Sequence, residues 1–302
     1  MKKILAIILS VLMCVAFVAC TPAENNAADD AKENDVVSTA DEINDGAANN
    51  ENENENEADN TEEPSADSDL QAIKDRGVLV VGITDFAPMD YKNADGEWIG
   101  FDADLAKAFA EYLGVEVQFQ EIEWSNKVPE LNSGSIDVVW NGMTLTDEVK
   151  SAMECSNAYC NNAQVVILPA DVADNYPDAE SMATLLFAVE DGSAGAAVAD
   201  ENNFNKVTVI DQATALLEVS TNNADAAIID SLMAGAMVGE GTDYASLTYT
   251  IGLNSEEYGV GFRKGSDAAA ALNAFFIECY EDGTMMELAE TYGVQAAIIA
   301  QY

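Results

Sequence analysis

The chain has 302 residues, of which 49% are hydrophobic, so it can bury the core of one large domain or two medium ones. Its formal net charge is −43 with only 12 lysines and arginines, which argues against nucleic acid as a partner because phosphate neutralisation requires clustered basic side chains. Histidine is absent, so the commonest general base and metal ligand is missing, and we expect neither a metal site nor a cofactor.

The first residues are typical of an export signal. Met1-Lys2-Lys3 is a charged start, and the apolar run over 4–18 is shorter than a typical transmembrane helix. Phe17-Val18-Ala19-Cys20 resembles a bacterial lipobox, with Phe17 at a place where leucine is usual. This resemblance implies that residues 1–19 are removed and that a lipid on Cys20 holds the protein at the extracytoplasmic face of the cell membrane. An ordinary cleaved signal peptide is the alternative.

The segment over 20–69 contains little that could be buried. Asn, Ala, Asp and Glu dominate it, and Asn alternates with Glu over 50–57. Low hydrophobicity combined with dense like charge predicts disorder, because burial cannot offset the lost chain entropy. We expect an acidic linker that holds a folded domain clear of the membrane; a tail that binds a partner is the alternative.

Beyond residue 69, strands and helices alternate. A short helix over 70–76 precedes a wholly apolar strand over 78–83, and residues 91–98 are predicted to form a turn. A helix begins at Gly100 and ends at Gly114, a strand covers 115–122, and a further helix begins at Val128 and ends near Gly134. This order is typical of a doubly wound α/β sheet.

The stretch over 140–150 follows an apolar strand over 136–139 and is predicted to be a loop that forms one wall of a ligand cleft. Its small and hydroxylated residues allow the backbone to approach a ligand closely. Ligands of open α/β sheets bind beyond the carboxyl ends of the strands. Phe86, Trp124 and residues 141–144 each follow such an end, so we expect these three segments to meet.

A second α/β unit follows residues 163–168. It has predicted strands over 185–189, 207–210 and 226–230, and predicted helices that begin at 192–195 and cover 213–220. A strand over 258–262 and two helices, over 268–280 and 284–292, close the chain. We therefore predict two doubly wound α/β lobes joined by two crossing strands, with a ligand cleft between them. The predicted first lobe comprises residues 70–163 and 262–302, and the second comprises residues 164–261.

Five stretches, in order and at suitable spacing, carry a resemblance to a known family. They are Val80-Val81-Gly82, Gly100-Phe101-Asp102-Ala103-Asp104-Leu105-Ala106, Gly142-Met143-Thr144-Leu145-Thr146, Asp225-Ala226-Ala227-Ile228-Ile229-Asp230 and Tyr258-Gly259-Val260-Gly261. From about residue 70 to 292 the chain resembles bacterial solute-binding protein family 3, the extracytoplasmic receptors that supply polar amino acids to ABC transporters. The resemblance implies a type II periplasmic-binding-protein fold, a hinged cleft, a small-molecule ligand, a monomer, a permease as partner and no enzymatic activity.

The resemblance also implies roles for individual residues. Phe86 and Trp124 stand where aromatic rings pack against the ligand, although core packing is an equal alternative for both. Gly142 and Thr144 stand where the α-carboxylate is bound, and Asp230 stands where the α-ammonium is bound by a charge-assisted hydrogen bond. The full predicted ligand-binding set is Phe86, Trp124, Asn141, Gly142, Thr144, Lys150, Glu190, Ser193 and Asp230.

Three positions depart from the family pattern. Val149 stands where the family usually has an arginine that grips the α-carboxylate in a bidentate pair. Ala194 replaces a residue that is often glycine or hydroxylated, which leaves Ser193 and the helix amides as anion partners. Glu190 falls where some relatives have lysine. Our hypothesis is that the ligand is rich in amine groups, or that Lys150 and backbone amides hold its carboxylate.

Cys155, Cys160 and Cys279 follow the signal region. A disulfide between Cys155 and Cys160 and a set of small buried thiols are both open alternatives at this point. Two functional alternatives also stay open. One is an enzyme of the same fold resembling a dehydratase, and the other is a sensory receptor that reports ligand to a signalling partner.

Overall fold

The computed structural model describes residues 68–302. The predicted signal peptide, the predicted lipidation at Cys20 and nearly all of the predicted acidic linker lie outside the described residues. Within residues 68–302, no helix is both long enough and apolar enough to cross a membrane.

Nine helices and thirteen strands order the described residues. The helices are α1 (Asp69–Arg76), α2 (Phe101–Leu113), α3 (Lys127–Ser133), α4 (Asp147–Ala152), α5 (Ala194–Glu201), α6 (Gln212–Ser220), α7 (Ser231–Met237), α8 (Ala268–Asp282) and α9 (Thr284–Thr291). The strands are β1 (Val78–Ile83), β2 (Tyr91–Lys92), β3 (Trp98–Ile99), β4 (Glu116–Glu121), β5 (Val138–Thr144), β6 (Met153–Cys155), β7 (Cys160–Asn162), β8 (Gln164–Pro169), β9 (Leu186–Glu190), β10 (Asn205–Val209), β11 (Ala226–Asp230), β12 (Leu247–Gly252) and β13 (Glu256–Arg263).

The first sheet has the order β4-β1-β5-β13-β6, and β7 also pairs with β13. Strand β1 lies parallel to both β4 and β5, whereas β13 runs antiparallel to β5. The central strand β5 is almost entirely buried, as expected for a strand that has helices on both faces. Parallel strands joined by helices bring the carboxyl ends of β1, β4 and β5 to one edge of the sheet.

The second sheet has the order β10-β9-β11-β8-β12. Strands β9, β10 and β11 are parallel, and β8 runs antiparallel to β11. Every residue of β11 is buried, because α5 and α6 pack against this sheet. Together the two sheets confirm the predicted architecture of two α/β lobes.

The chain crosses between the sheets twice, from β7 to β8 over 162–164 and from β12 to β13 over 252–256. The predicted boundary at 261/262 falls inside β13, which pairs with β5, β6 and β7 of the first sheet. We therefore define the first lobe as residues 68–162 and 256–302, and the second lobe as residues 164–252.

The stretch over 140–150 is not a loop. Strand β5 continues through Thr144, because β13 pairs with it as far as Tyr258 opposite Thr144. Thr146 then caps α4 by accepting the amide hydrogen of Val149 at 3.1 Å. The Asn141-Gly142 pair resembles a turn signal, but Gly142 instead supplies a left-handed residue with φ of +55° inside the strand.

The three cysteines of the described residues are free thiols. Cys160 and Cys279 are buried, and Cys155 is half-buried. Of the two alternatives, the structure has the small buried thiols and not the disulfide.

Candidate functional site

A cavity of about 810 Å³ lies between the two lobes. The first lobe contributes the turn over 124–128, the end of β5 and helix α4; the second contributes the ends of β9 and β11 and the first turn of α5. The predicted residues that line it are Trp124, Asn141, Gly142, Thr144, Glu190, Ser193 and Asp230. These residues come from five separate strand ends or helix starts, as expected for α/β sheets, whose ligands bind beyond the carboxyl ends of the strands.

The polar groups of β5 that face this region already have partners within the protein. The Asn141 side chain accepts from the Thr84 amide at 2.9 Å and donates to the Thr84 hydroxyl at 2.7 Å. The Gly142 amide donates to Asp102 Oδ2 at 2.7 Å, and the Thr144 hydroxyl donates to Glu256 at 2.9 Å. This wall therefore shapes the cavity, but most of its hydrogen-bonding groups are already occupied by partners within the protein.

Asp230 closes the floor of the cavity at the end of β11. Its carboxylate accepts hydrogen bonds from Tyr258 at 2.6 Å and Gln164 at 3.0 Å, and also from Asn162 and Gln212. Burial, together with the nearby carboxylate of Glu256, raises the pKa of Asp230 to about 7. Donors from both lobes and from the first crossing segment thus fix the orientation of this carboxylate.

Glu190 lies beside Asp230 at the end of β9 and is only 4% exposed. Its Oε1 atom has no hydrogen-bond partner within residues 68–302. The Gln212 amide donates to Asp230, and the same side chain slightly lowers the pKa of the neighbouring Glu190. Burial and then the neighbouring Asp230 raise the pKa of Glu190 to about 8. An unpartnered buried carboxyl group is costly, and a cationic ligand group would remove that cost.

The first turn of α5 forms the opposite rim. Ser193 caps the helix by accepting the Ala196 amide hydrogen at 3.1 Å. Among the described residues, the amides of Ala194 and Gly195 have no acceptor, as is usual at a helix start. This rim can therefore bind an anionic group.

Two predicted residues lie outside the cavity lining. Phe86 is 2% exposed and packs edge-on against Tyr258, with ring centroids 6.3 Å apart, which corresponds to the core-packing alternative. Lys150 is exposed on α4. Successive helical residues point roughly 100° apart, so the placement of Val149 in the lining turns Lys150 away from it.

Val149 is 8% exposed and packs in a hydrophobic cluster with Trp124 and Met153. It thus presents an apolar wall to the cavity where the family resemblance implies an arginine. The two arginines of the chain form ion pairs within the first lobe: Arg76 pairs with Asp137, and Arg263 pairs with Asp69 at 3.0 Å.

Sequence reasoning missed Lys127, the first residue of α3. This lysine lines the cavity, and its Nζ lies 4.7 Å from the centroid of the Trp124 ring. It donates to Gly192 O of the second lobe at 2.9 Å and to Trp124 O at 3.2 Å. No local pattern marks Lys127 as a site residue, because its partner Gly192 is 65 residues away and only the fold brings the two together.

The cavity lining is strongly acidic. Seven of its residues are carboxylic and two are lysines. Lys206 already pairs with Asp200 at 2.6 Å, so Lys127 is the one lining cation within residues 68–302 that lacks a carboxylate partner. The carboxylic lining residues are Asp147, Glu148, Glu190, Asp191, Asp200, Glu201 and Asp230. The electrostatic potential in the cavity therefore favours ligands that carry positive charge.

Residues 79–295 match the family described as bacterial extracellular solute-binding proteins, family 3. The chain is 27% identical over 227 residues to the L-cystine-binding protein of Escherichia coli strain K12, covering 74% of this chain and 85% of that protein.

Two solved structures are also similar. One is an ancestral amino acid-binding protein, described as a precursor of cyclohexadienyl dehydratase, with 32% identity and a TM-score of 0.69 over 74% of this chain and 99% of that one. The other is an ABC uptake transporter substrate-binding protein from Streptococcus pneumoniae with bound histidine. Its identity is 27% and its TM-score 0.70, over 77% of this chain and 99% of that one.

Proposed function

Because the chain belongs to the bacterial extracellular solute-binding proteins of family 3, we propose that it captures an amino acid or a related amine between its lobes for an ABC importer. The observation that carries this proposal is the pair of buried carboxyl groups, Asp230 and Glu190, at the floor of the cavity between the lobes. A ligand ammonium bound there replaces the missing partner of Glu190 and forms charge-assisted bonds. The relatives named for cystine and histidine support an amino acid as the class of ligand.

We propose capture by closure as the mechanism. Groups from both lobes line the cavity, so a ligand that contacts both lobes binds the closed state more tightly and shifts the population toward it. The closed protein then docks on a membrane permease, to which a lipid on Cys20 holds it close. The Asp230 carboxylate is engaged by amide donors from Gln164 and Gln212, which favours a binding role over an enzymatic one.

The first test is a thermal-shift screen of the full mature chain against the twenty amino acids and simple diamines. A ligand at one hundred times its dissociation constant stabilises a protein by about 2.7 kcal/mol, which is a readily measured shift. Stabilisation by none of these compounds would contradict the proposal.

The second test is Asp230→Asn, which keeps the shape of the side chain but removes its charge. We expect affinity for the ligand from the screen to fall roughly 10- to 100-fold, the usual value of a hydrogen bond to a charged group. Asp191→Asn is the matched control, because Asp191 lines the same cavity but is exposed. Equal affinity of wild type and Asp230→Asn would remove Asp230 from the site.

A further inference from the structure

Lys127 is a buried cation whose hydrogen-bond partners are uncharged, and the carboxylates of Glu190, Glu148 and Asp191 act on it only from beyond ion-pair distance. It is 9% exposed, and within residues 68–302 no carboxylate oxygen lies within 4.0 Å of its Nζ. Its two acceptors are neutral carbonyls, one in each lobe, and an ammonium group has three hydrogens to donate. The third N–H group of the Lys127 ammonium can therefore donate to a further acceptor in the cavity.

The second lobe places another positive element beside this ammonium. Gly192, whose carbonyl accepts from Lys127, immediately precedes Ser193, the N-cap of α5. The unpartnered amides of Ala194 and Gly195 and the positive end of the helix dipole lie at this same rim. An ammonium beside a helix N-terminus is unfavourable unless an anion lies between them.

We propose that Lys127 binds the carboxylate of the ligand together with the α5 amides, in place of the arginine that Val149 replaces. This inference rests on the proposed function, since it requires a ligand that has both an ammonium and a carboxylate group. The ammonium group binds at Asp230 and Glu190 on the floor, and the carboxylate binds at Lys127 on the rim. The acidic remainder of the lining discourages a second carboxylate.

This arrangement ties the carboxylate to closure. Lys127 belongs to the first lobe and α5 to the second, so one carboxylate contacts both only when the lobes meet. Lysine offers a point charge instead of the planar fork of arginine, so the carboxylate is held by charge with less control of its orientation. Stacking of Nζ over the Trp124 ring keeps the ammonium at the rim before ligand arrives.

The rival role for Lys127 is purely structural: a strut that joins Trp124 and Gly192 by hydrogen bonds to carbonyls. A strut would support closure around any ligand, whether or not that ligand has a carboxylate. The two roles therefore differ in how Lys127 affects the preference for a free acid over its amide.

The experiment measures the binding of each amino acid and of its α-carboxamide to the full mature chain. We expect wild type to prefer the free acid by roughly 10- to 100-fold, and Lys127→Met to lose most of that preference while binding the carboxamide as before. Lys127→Arg, which retains a cation, should keep the preference. Lys150→Met is the matched control, because Lys150 is exposed outside the cavity lining.

Three results overturn the inference. An unchanged preference in Lys127→Met, or equal loss of affinity for acid and carboxamide in that variant, would leave Lys127 as a strut. If the wild type binds carboxamides as tightly as free acids, the site does not recognise the carboxylate group of the ligand. A wild type that binds neither set contradicts the proposed function itself, which is a different outcome from these. Melting of each unliganded variant is measured first, and Lys127→Gln replaces Lys127→Met if the latter does not fold.

Discussion

At the scale of single residues, the cleft is governed by buried carboxyl groups that have raised pKa values. Asp230 is held by four donors, whereas Glu190 has one oxygen without any partner in the described residues. Burial favours the neutral form of a carboxyl group, so both groups hold protons at pH values at which exposed carboxylates are ionised. A ligand ammonium reverses this preference by favouring the charged form.

The first prediction concerns stability against pH. The pKa of Glu190 rises from an ordinary value of 4.5 in the unfolded chain to about 8 in the folded one. Between these two values the folded state binds more protons, so the free energy of unfolding falls as pH increases, by up to about 1.4 kcal/mol per pH unit. We expect Glu190→Gln to flatten this fall, as measured by chemical denaturation of the unliganded protein at pH 5 and pH 8.5.

Glu201→Gln is the control for this prediction, because Glu201 lines the same cavity but is exposed. Asp230 contributes a fall of the same sign, so part of the slope should remain in Glu190→Gln. An identical pH dependence of the free energy of unfolding in wild type and Glu190→Gln would show that Glu190 does not cause the loss of stability at high pH.

How far single residues could be predicted depended on whether their partners were local. Asp230 ends an apolar strand, so the sequence alone predicted a ligand contact there, and the structure places this residue in the cavity lining. Lys127 could not be assigned in that way, because its significance comes from Gly192 of the other lobe. Phe86 has an aromatic position that resembles a ligand contact, but its ring packs in the core beside Tyr258.

At the scale of elements, the start of α5 and the turn over 124–126 form the mouth of the cavity. Gly192 has φ of +70°, and a Cβ atom placed on it would lie 3.0 Å from the Ser125 Cα of the first lobe. This is tighter than nine in ten real Cβ contacts, so the Ser125 backbone would have to move away by a few tenths of an ångström. Glycine at this position therefore allows both the tight turn before α5 and contact between the lobes.

The second prediction is that Gly192→Ala weakens ligand binding by holding the mouth open. Apparent affinity falls in proportion to the population of the closed state, so a cost of about 1.4 kcal/mol to closure gives roughly tenfold weaker binding. Gly241→Ala is the matched control, because Gly241 has φ of +88° and nothing within 4 Å of its added Cβ. Both variants carry the strain of a left-handed alanine, about 1–2 kcal/mol. Only in Gly192→Ala does the added Cβ atom contact the other lobe, at Ser125.

Calorimetric titration of both variants with the same amino acid decides this prediction. Equal affinities for Gly192→Ala and Gly241→Ala would show that contact at Ser125 does not limit closure.

The elements themselves were largely predictable, and the failures have physical causes. Strand β11 and helices α2, α8 and α9 agree with their apolar periodicity and glycine stops. The prediction ended strand β5 at residue 139 because small and hydroxylated residues follow, and only pairing with β13 extends the strand through Thr144. Strand β12 was missed because its residues alternate weakly and it lies at the edge of the second sheet.

At the scale of the whole molecule, the proposed closure would take place about the two crossings between the sheets. Residues from both crossings meet at one carboxylate, since Glu256 accepts from Asn162 at 2.7 Å and from Gln164 at 2.8 Å. Asn162 and Gln164 also bond Asp230, so the ligand floor and the hinge share donors. If ligand binds at Asp230 and the lobes rotate about these crossings, as we propose, the ligand would act directly on the crossing segments.

The third prediction tests closure with a covalent trap. The Ser125 Cβ lies 3.2 Å from a Cβ atom placed on Gly192, and disulfides join Cβ atoms about 3.5–4.5 Å apart, so a shift of a few tenths of an ångström permits a bond. We expect the double variant Ser125→Cys, Gly192→Cys to cross-link on oxidation in the closed state. The oxidised protein should not take up ligand from solution, whereas ligand bound before oxidation should be retained.

Reduction of the disulfide should restore uptake, because the lobes can then separate. The single variants Ser125→Cys and Gly192→Cys control for the native thiols, of which Cys160 and Cys279 are buried. Uptake is measured with radiolabelled ligand, and the cross-link is verified by the mass of the peptide that contains both cysteines. If cross-linked protein takes up ligand as fast as reduced protein, the ligand does not enter between the lobes, and closure is not the step that captures it.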